Sequence, residues 1–148
     1  MAKEIERKFL VRDLSVIADK PGRLMSQGYL SVSPMTSRVR IAGEDAYLTI
    51  KGRPDGITCS EWEYRIPISD AREMMLECDA RVIEKTRYEI PVGDLVFEVD
   101  VFHGRHEGLV LAEVELPDAQ ALVAIPDWVG EEVSGQYRYT NAFLSGQV

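Results

Sequence analysis

Glu4-Ile5-Glu6-Arg7-Lys8-Phe9-Leu10-Val11 opens the chain as a strand with its charges on alternate residues. Alternate side chains of a β-strand share one face. Glu4, Glu6 and Lys8 therefore line up together, opposite a face of Ile5, Phe9 and Val11 broken only by Arg7. An ordinary amphipathic strand turns such charges to water. Here the same alternation recurs in most of the strands that follow, which argues for charges turned inward.

Working outward, Lys3 to Val11 is the first strand, and Asp13 caps a short helix to Asp19. After the Pro21-Gly22 turn, Leu24 to Val32 is the second strand, with Gly28 inside it. Ser37 to Ile41 and Ala46 to Lys51 form a hairpin around Gly43-Glu44-Asp45, and a loop follows to Gly56. Thr58 to Ile68 is the next strand, and Ser69-Asp70 caps a helix over Ala71 to Cys78. Val82 to Ile90 and Asp94 to Phe102 form a second hairpin around Val92-Gly93. After a loop, Gly104 to Gly108, Leu109 to Leu116 is the eighth strand. Pro117-Asp118 starts a short helix through Val123, and the tail holds a last helix near Asn141 to Leu144.

The implied fold class is α+β, mainly antiparallel β: an eight-stranded closed β-barrel with helices packed outside. Charges cluster by strand on one face. Glu4, Glu6 and Lys8 are followed by Arg38 and Arg40, Lys51, Glu61 and Glu63, Lys85 and Arg87, Glu98 and Asp100, and Glu113 and Glu115. The other face carries Val39, Ile41, Leu48, Ile50, Trp62, Tyr64, Ile66, Ala112, Val114 and Leu116. The seventh strand fits least well, because Val96 and Phe102 share the face of Glu98 and Asp100. Like charges two residues apart repel unless a ligand neutralises them. A ligand carrying both a metal and a polyanion satisfies both signs.

Composition bounds the rest. A chain of 148 residues that is 45% hydrophobic can bury one core, so residues 1–148 read as a single domain. A net charge of −8, from 25 acidic and 17 basic residues, argues against nucleic-acid binding. Cys59 and Cys78 have no metal-ligand spacing and no disulfide framework, which points to a reducing cytoplasm. Neither a membrane span nor a signal peptide is evident. His103 and His106 read as surface residues at a strand end and loop, and no Ser-His-Asp set, P-loop or dinucleotide fingerprint is present.

Paired carboxylates suit hard divalent cations such as Mg²⁺ or Mn²⁺. Clustered Arg and Lys grip phosphate oxygens. Together they are the apparatus of phosphoryl transfer.

In this respect the chain resembles the CYTH superfamily, the triphosphate tunnel metalloenzymes. Its hallmark is Glu4-x-Glu6-x-Lys8. There follow Arg38-Val-Arg40, Thr49-Ile-Lys51-Gly52, Glu61-Trp-Glu63-Tyr, Glu84-Lys85-Thr86-Arg87-Tyr88, Phe97-Glu98-Val-Asp100-Val-Phe102 and Ala112-Glu113-Val-Glu115-Leu. The short bacterial inorganic tripolyphosphatases are the most similar members.

The resemblance implies Mg²⁺- or Mn²⁺-dependent hydrolysis of a triphosphate, a small polyanionic substrate. It implies that Lys8, Arg38, Arg40, Lys51, Lys85 and Arg87 hold the phosphate chain, and that Glu4 and Glu6 bind metal with Glu113 and Glu115. Glu61, Glu63, Glu98 and Asp100 complete the metal shell, orient water or pair with the basic residues. Lys85 is a candidate to activate water, because crowded cations depress a lysine's pKa while nearby carboxylates oppose that shift.

Tyr29 and Gln27 share a face that could reach the cavity, whereas Trp62, Tyr64, Met74 and Met75 read as core outside the barrel. The segment Ser134 to Asn141 resembles the family's closing segment, apart from Gln136-Tyr137, and would bring Arg138 to a terminal phosphate. A class IV-type adenylyl cyclase, a thiamine triphosphatase and a polyphosphate-binding module are the alternatives. The outer barrel face leaves a homodimer open.

Overall fold

A computed structural model describes residues 3–146; Met1, Ala2, Gln147 and Val148, the last two at the end of the predicted tail, lie outside the described residues. Nine strands form the sheet: β1 (Lys3–Val11), β2 (Arg23–Ser31), β3 (Thr36–Ala42), β4 (Asp45–Lys51), β5 (Thr58–Arg65), β6 (Val82–Val92), β7 (Leu95–Phe102), β8 (Val110–Glu115) and β9 (Val129–Glu132). Their order is β5-β4-β3-β2-β6-β7-β8-β1-β9, and a β5–β1 pairing closes β1 to β8 into a barrel. Every pairing is antiparallel.

β1 is the strand that closes it. One edge pairs with β8 from Glu6 to Leu10. The other pairs with β5 at Lys3–Ile5, then with β9 at Phe9 and Val11. β9 thus takes up the edge of β1 that β5 leaves free, and hydrogen-bonding groups that would otherwise lie open find partners.

The alternation in β1 has the predicted sense. Phe9, Phe97, Val99, Ala112 and Val114 face outward, under Val16 and Ile17 of a 3₁₀ turn (Leu14–Ile17) and under Ala121, Val123 and Trp128. The Phe97 and Trp128 rings meet edge to face at 5.5 Å. Each buried Phe or Val side chain among them contributes about 1.5–3 kcal/mol. A helix, α1 (Ile68–Glu77), covers a second outer patch of Val39 and Ala46 with its own Ala71. A third cluster, Tyr29, Ile83, Phe102, Leu111, Val133 and Leu144, includes residues on the inner face and fills one end of the bore. Leu144 comes from α2 (Asn141–Ser145).

Gly28 shows how tightly α1 sits. A Cβ there would lie 2.6 Å from Cys78 Sγ and 2.9 Å from Met75 Sδ. Gly28→Ala is expected to lower stability by about 1–3 kcal/mol, read as a lower urea midpoint at unchanged m-value.

Several local expectations are corrected. Asp13 does cap, accepting from the Ser15 amide, but only one 3₁₀ turn follows. β5 stops at Arg65, and α1 begins behind Pro67 rather than Ser69-Asp70, since the proline has an extended ψ of 138° and makes no side-chain cap. Asp70 falls in the first turn, where its charge suits the helix dipole. No helix forms over 117–123; Asp118 accepts from the Gln120 amide in a local turn. Trp62 and Tyr64 are 38% and 57% exposed rather than core, whereas Met74 and Met75 pack under the barrel. Neither histidine is a free surface residue: His103 bonds Thr86 at 2.6 Å and His106 bonds the Leu144 carbonyl at 2.7 Å. Among the described residues, no helix is long and apolar enough to cross a membrane.

Candidate active site

Register brings the inward side chains into rows. Glu6 faces Glu115 and Lys8 faces Glu113 across β1–β8, and Glu113 faces Glu98 across β8–β7. Arg87 faces Asp100, Tyr29 faces Arg38, Arg38 faces Thr49, and Lys51 faces Glu61. The result is a cavity of about 470 Å³. Its walls include Glu4, Glu6, Glu61, Glu63, Glu98, Glu113 and Glu115 together with Lys8, Arg38, Arg40, Lys51, Lys85 and Arg87.

The basic residues are buried to an unusual degree for their type. Lys85 is fully buried, and Lys8, Arg38 and Arg87 are each under 10% exposed. Lys85 Nζ donates to Asp100 Oδ2 at 2.7 Å, and Arg87 makes a two-pronged pair with the same carboxylate at 2.8 and 2.9 Å. Lys51 bridges Glu4 at 2.8 Å and Glu61 at 3.4 Å. Lys8 lies 3.5 Å from Glu113. Arg38 donates to Thr49, which passes a hydrogen bond on to Glu63. The Arg38 Nε is buried with no partner among the described residues, and an unmet buried donor is costly.

These environments push the titrations apart. Burial drives the Lys85 ammonium down, to about 7; Asp100 opposes this and Arg87 and Arg40 reinforce it. Burial, with Arg38 and Arg87 beside it, lowers Arg40 to about 10. The Glu6 carboxyl is held well above the usual range by burial and by Glu113 and Glu4, more than Lys51 and Lys8 offset. Burial would also raise Glu113, but Lys8, Arg87, Lys85 and Lys51 hold it well below. One carboxylate is thus saturated with cations and the other is short of them.

Two sequence candidates sit elsewhere. Asp100 is buried behind Lys85 and Arg87, outside the cavity wall, where it anchors them. Arg138 is exposed, 3.3 Å from Gln136 Oε1 and stacked over the Tyr139 ring, and does not line the cavity. Tyr29 lines the cavity, while Gln27 is buried beside it and receives a bond from Arg40 at 2.9 Å.

Cys59 and Asn141 are among the lining residues that carry no sequence reading as site residues. Cys59 faces Glu4 across β5–β1, and the alternation of Glu61 and Glu63 back along β5 would have found it. Asn141 arrives from the tail, where no periodicity signals it.

An antiparallel tunnel with charged walls of both signs defines the class. The chain belongs to the CYTH domain family, which matches residues 2–142. It is 44% identical over 146 residues to a protein of Acetivibrio thermocellus named inorganic triphosphatase, covering 97% of this chain and 94% of that one. A protein of Nitrosomonas europaea with the same name is 37% identical over 153 residues, covering 96% of each. The crystal structure of the inorganic triphosphatase NE1496 matches with a TM-score of 0.71 at 33% identity, covering 100% of this chain and 97% of that one.

Proposed function

We propose that this chain is a divalent-metal-dependent triphosphatase that hydrolyses inorganic tripolyphosphate to pyrophosphate and phosphate within the bore. The observation that carries this reading is the set of buried cations lining the cavity, with the unpartnered Arg38 Nε among them. A polyanion would supply the acceptor that the Arg38 Nε lacks and draw the other cations onto its charge. The names of the related proteins support the same substrate class.

The carboxylates fit a hard cation. Glu6 is short of positive charge and Glu115 faces it directly. Among the described residues, no three His, Cys, Asp or Glu side chains form a ready cage. Mg²⁺ and ions like it need only one or two carboxylates, with water and substrate phosphates completing the shell. Glu4, Glu6, Glu113 and Glu115 are the residues proposed to hold Mg²⁺ or Mn²⁺. When bound, the ion neutralises charge on the phosphates and polarises the phosphorus–oxygen bonds.

The protein's own groups do the rest. Lys8, Arg38, Arg40, Lys51 and Arg87 hold the chain in line. Water attacks one phosphorus, the bond to the bridging oxygen breaks, and pyrophosphate departs as the anion. The proton of the attacking water passes to the neutral amine of Lys85, whose pKa near 7 lets it accept.

Purified protein given tripolyphosphate, ATP, thiamine triphosphate and pyrophosphate with each metal should turn over tripolyphosphate fastest. Cyclic AMP as the main product would favour the cyclase reading instead. Thiamine triphosphate as the preferred substrate would overturn the assignment of substrate. Tight polyphosphate binding without turnover would make the chain a binding module.

A further inference from the structure

Lys85 is held from two sides. Asp100 supports it from within the barrel wall, and Asn141 meets it from the C-terminal segment, with Lys85 Nζ 3.1 Å from Asn141 Oδ1. The orientation of that amide is fixed by its neighbours. A guanidinium only donates, so the Gln27 atom facing Arg40 Nε at 2.9 Å is its oxygen. The amide nitrogen of Gln27 then points the other way and donates to Asn141 Oδ1 at 3.1 Å. Oxygen, not nitrogen, is therefore what Asn141 presents to Lys85, and it carries both bonds at once.

The segment around Asn141 is itself anchored. Arg105 donates to the Ser145 carbonyl at 2.8 Å and to Ala80 at 3.1 Å, and the His106 ring donates to the Leu144 carbonyl. Lys8 Nζ donates to the Tyr139 carbonyl at 3.1 Å. Thr140 caps α2 by accepting from the Phe143 amide. Leu144 is buried in the apolar cluster at that end of the bore.

An apolar cover would close the tunnel without any polar reach inward. We propose that Asn141 is a positioning residue for the reaction: its side-chain oxygen, oriented by Gln27, fixes the Lys85 nitrogen within the bore. The C-terminal segment is then a working part of the site as well as its stopper. This rests on the role of Lys85 proposed above.

A double-mutant cycle tests it, using the full chain and tripolyphosphate as substrate. Asn141→Leu keeps the side-chain bulk and removes the oxygen. It should lower kcat about 10- to 100-fold, the scale of a roughly 1 Å misplacement. KM should stay within about threefold, since ground-state binding is left to the other cations. Asn141→Asp, which keeps an acceptor but adds a charge that favours the Lys85 ammonium, should restore turnover only at higher pH, with the kcat/KM profile shifted upward. Added to Lys85→Met, Asn141→Leu should cause no further loss, because it acts through Lys85.

A parental kcat in Asn141→Leu beside an inactive Lys85→Met would overturn the proposal and leave the function standing. So would losses that multiply in full. Full turnover by Lys85→Met would refute the role of Lys85 itself, and the positioning role with it. If circular dichroism shows Asn141→Leu unfolded, the smaller Asn141→Ser carries the same cycle with the same expectations.

Discussion

Glu6→Gln should abolish tripolyphosphate turnover and, without metal, unfold at a higher denaturant concentration than the parent. The two effects have one cause. Glu6 has Glu115 opposite it, and burial and the nearby Glu113 and Glu4 raise its pKa. A carboxyl whose folded pKa is raised binds more protons folded than unfolded. Its contribution to stability is therefore present at low pH and lost as pH rises through the folded value. Neutral glutamine removes that penalty. The uncompensated charge that costs stability is also what a divalent cation takes up, so kcat should fall by about 100-fold or more, beyond the effect of losing a group that only orients a ligand. Urea melts and phosphate-release kinetics check both halves. Marked destabilisation would make Glu6 a structural residue. Glu4 is a poorer position for this test, because it pairs with Lys51 at 2.8 Å.

Lys85→Met should reduce kcat by about 10²- to 10⁴-fold, the usual contribution of a positioned acid or base. The fold should survive, since Asp100 keeps both bonds from Arg87. The parent's kcat/KM should fall as pH drops below about 7, where the Lys85 amine becomes protonated and can no longer accept. The residual rate of Lys85→Met should lose that dependence. Stability follows the same group. With a folded pKa near 7 against an ordinary lysine value of 10.5, the unfolded chain binds the extra proton between those values. Stability therefore rises with pH across that window in the parent, and Lys85→Met removes that rise. A parental kcat/KM that is flat from pH 6 to 8 would contradict the role, on the scale of about a tenfold change per unit below the pKa.

The architecture was legible because period-2 patterning survives wherever one face must be buried. The Glu4-Glu6-Lys8 row and the Phe97-Val99 row each lie on the face that alternation assigns. Which face turned inward depended on like charges recurring in pairs, a signal that survives without any contact information. What escaped was set by tertiary partners. β9 has four residues and includes Gly130, where a Cβ would come within 3.1 Å of the Leu10 carbonyl; β1 supplies its pairing. Residues 117–123 had a helix-like start, but Ala121 and Val123 pack onto the barrel without one, and Leu122 is left exposed. Asp100 shares the register of the tunnel carboxylates, and only the depth of Lys85 and Arg87 shows it behind them. Asn141 is one polar residue in an aperiodic tail, and its place depends on Gln27, 114 residues away.

Hydrolysis of tripolyphosphate in this bore can be followed by phosphorus NMR in ¹⁸O-labelled water. With Mg²⁺ or Mn²⁺, tripolyphosphate should disappear as pyrophosphate and phosphate rise together in equal amounts, with the label in one of the two products. A chelator should stop the reaction. Tripolyphosphate left intact with both metals would rule out that reaction.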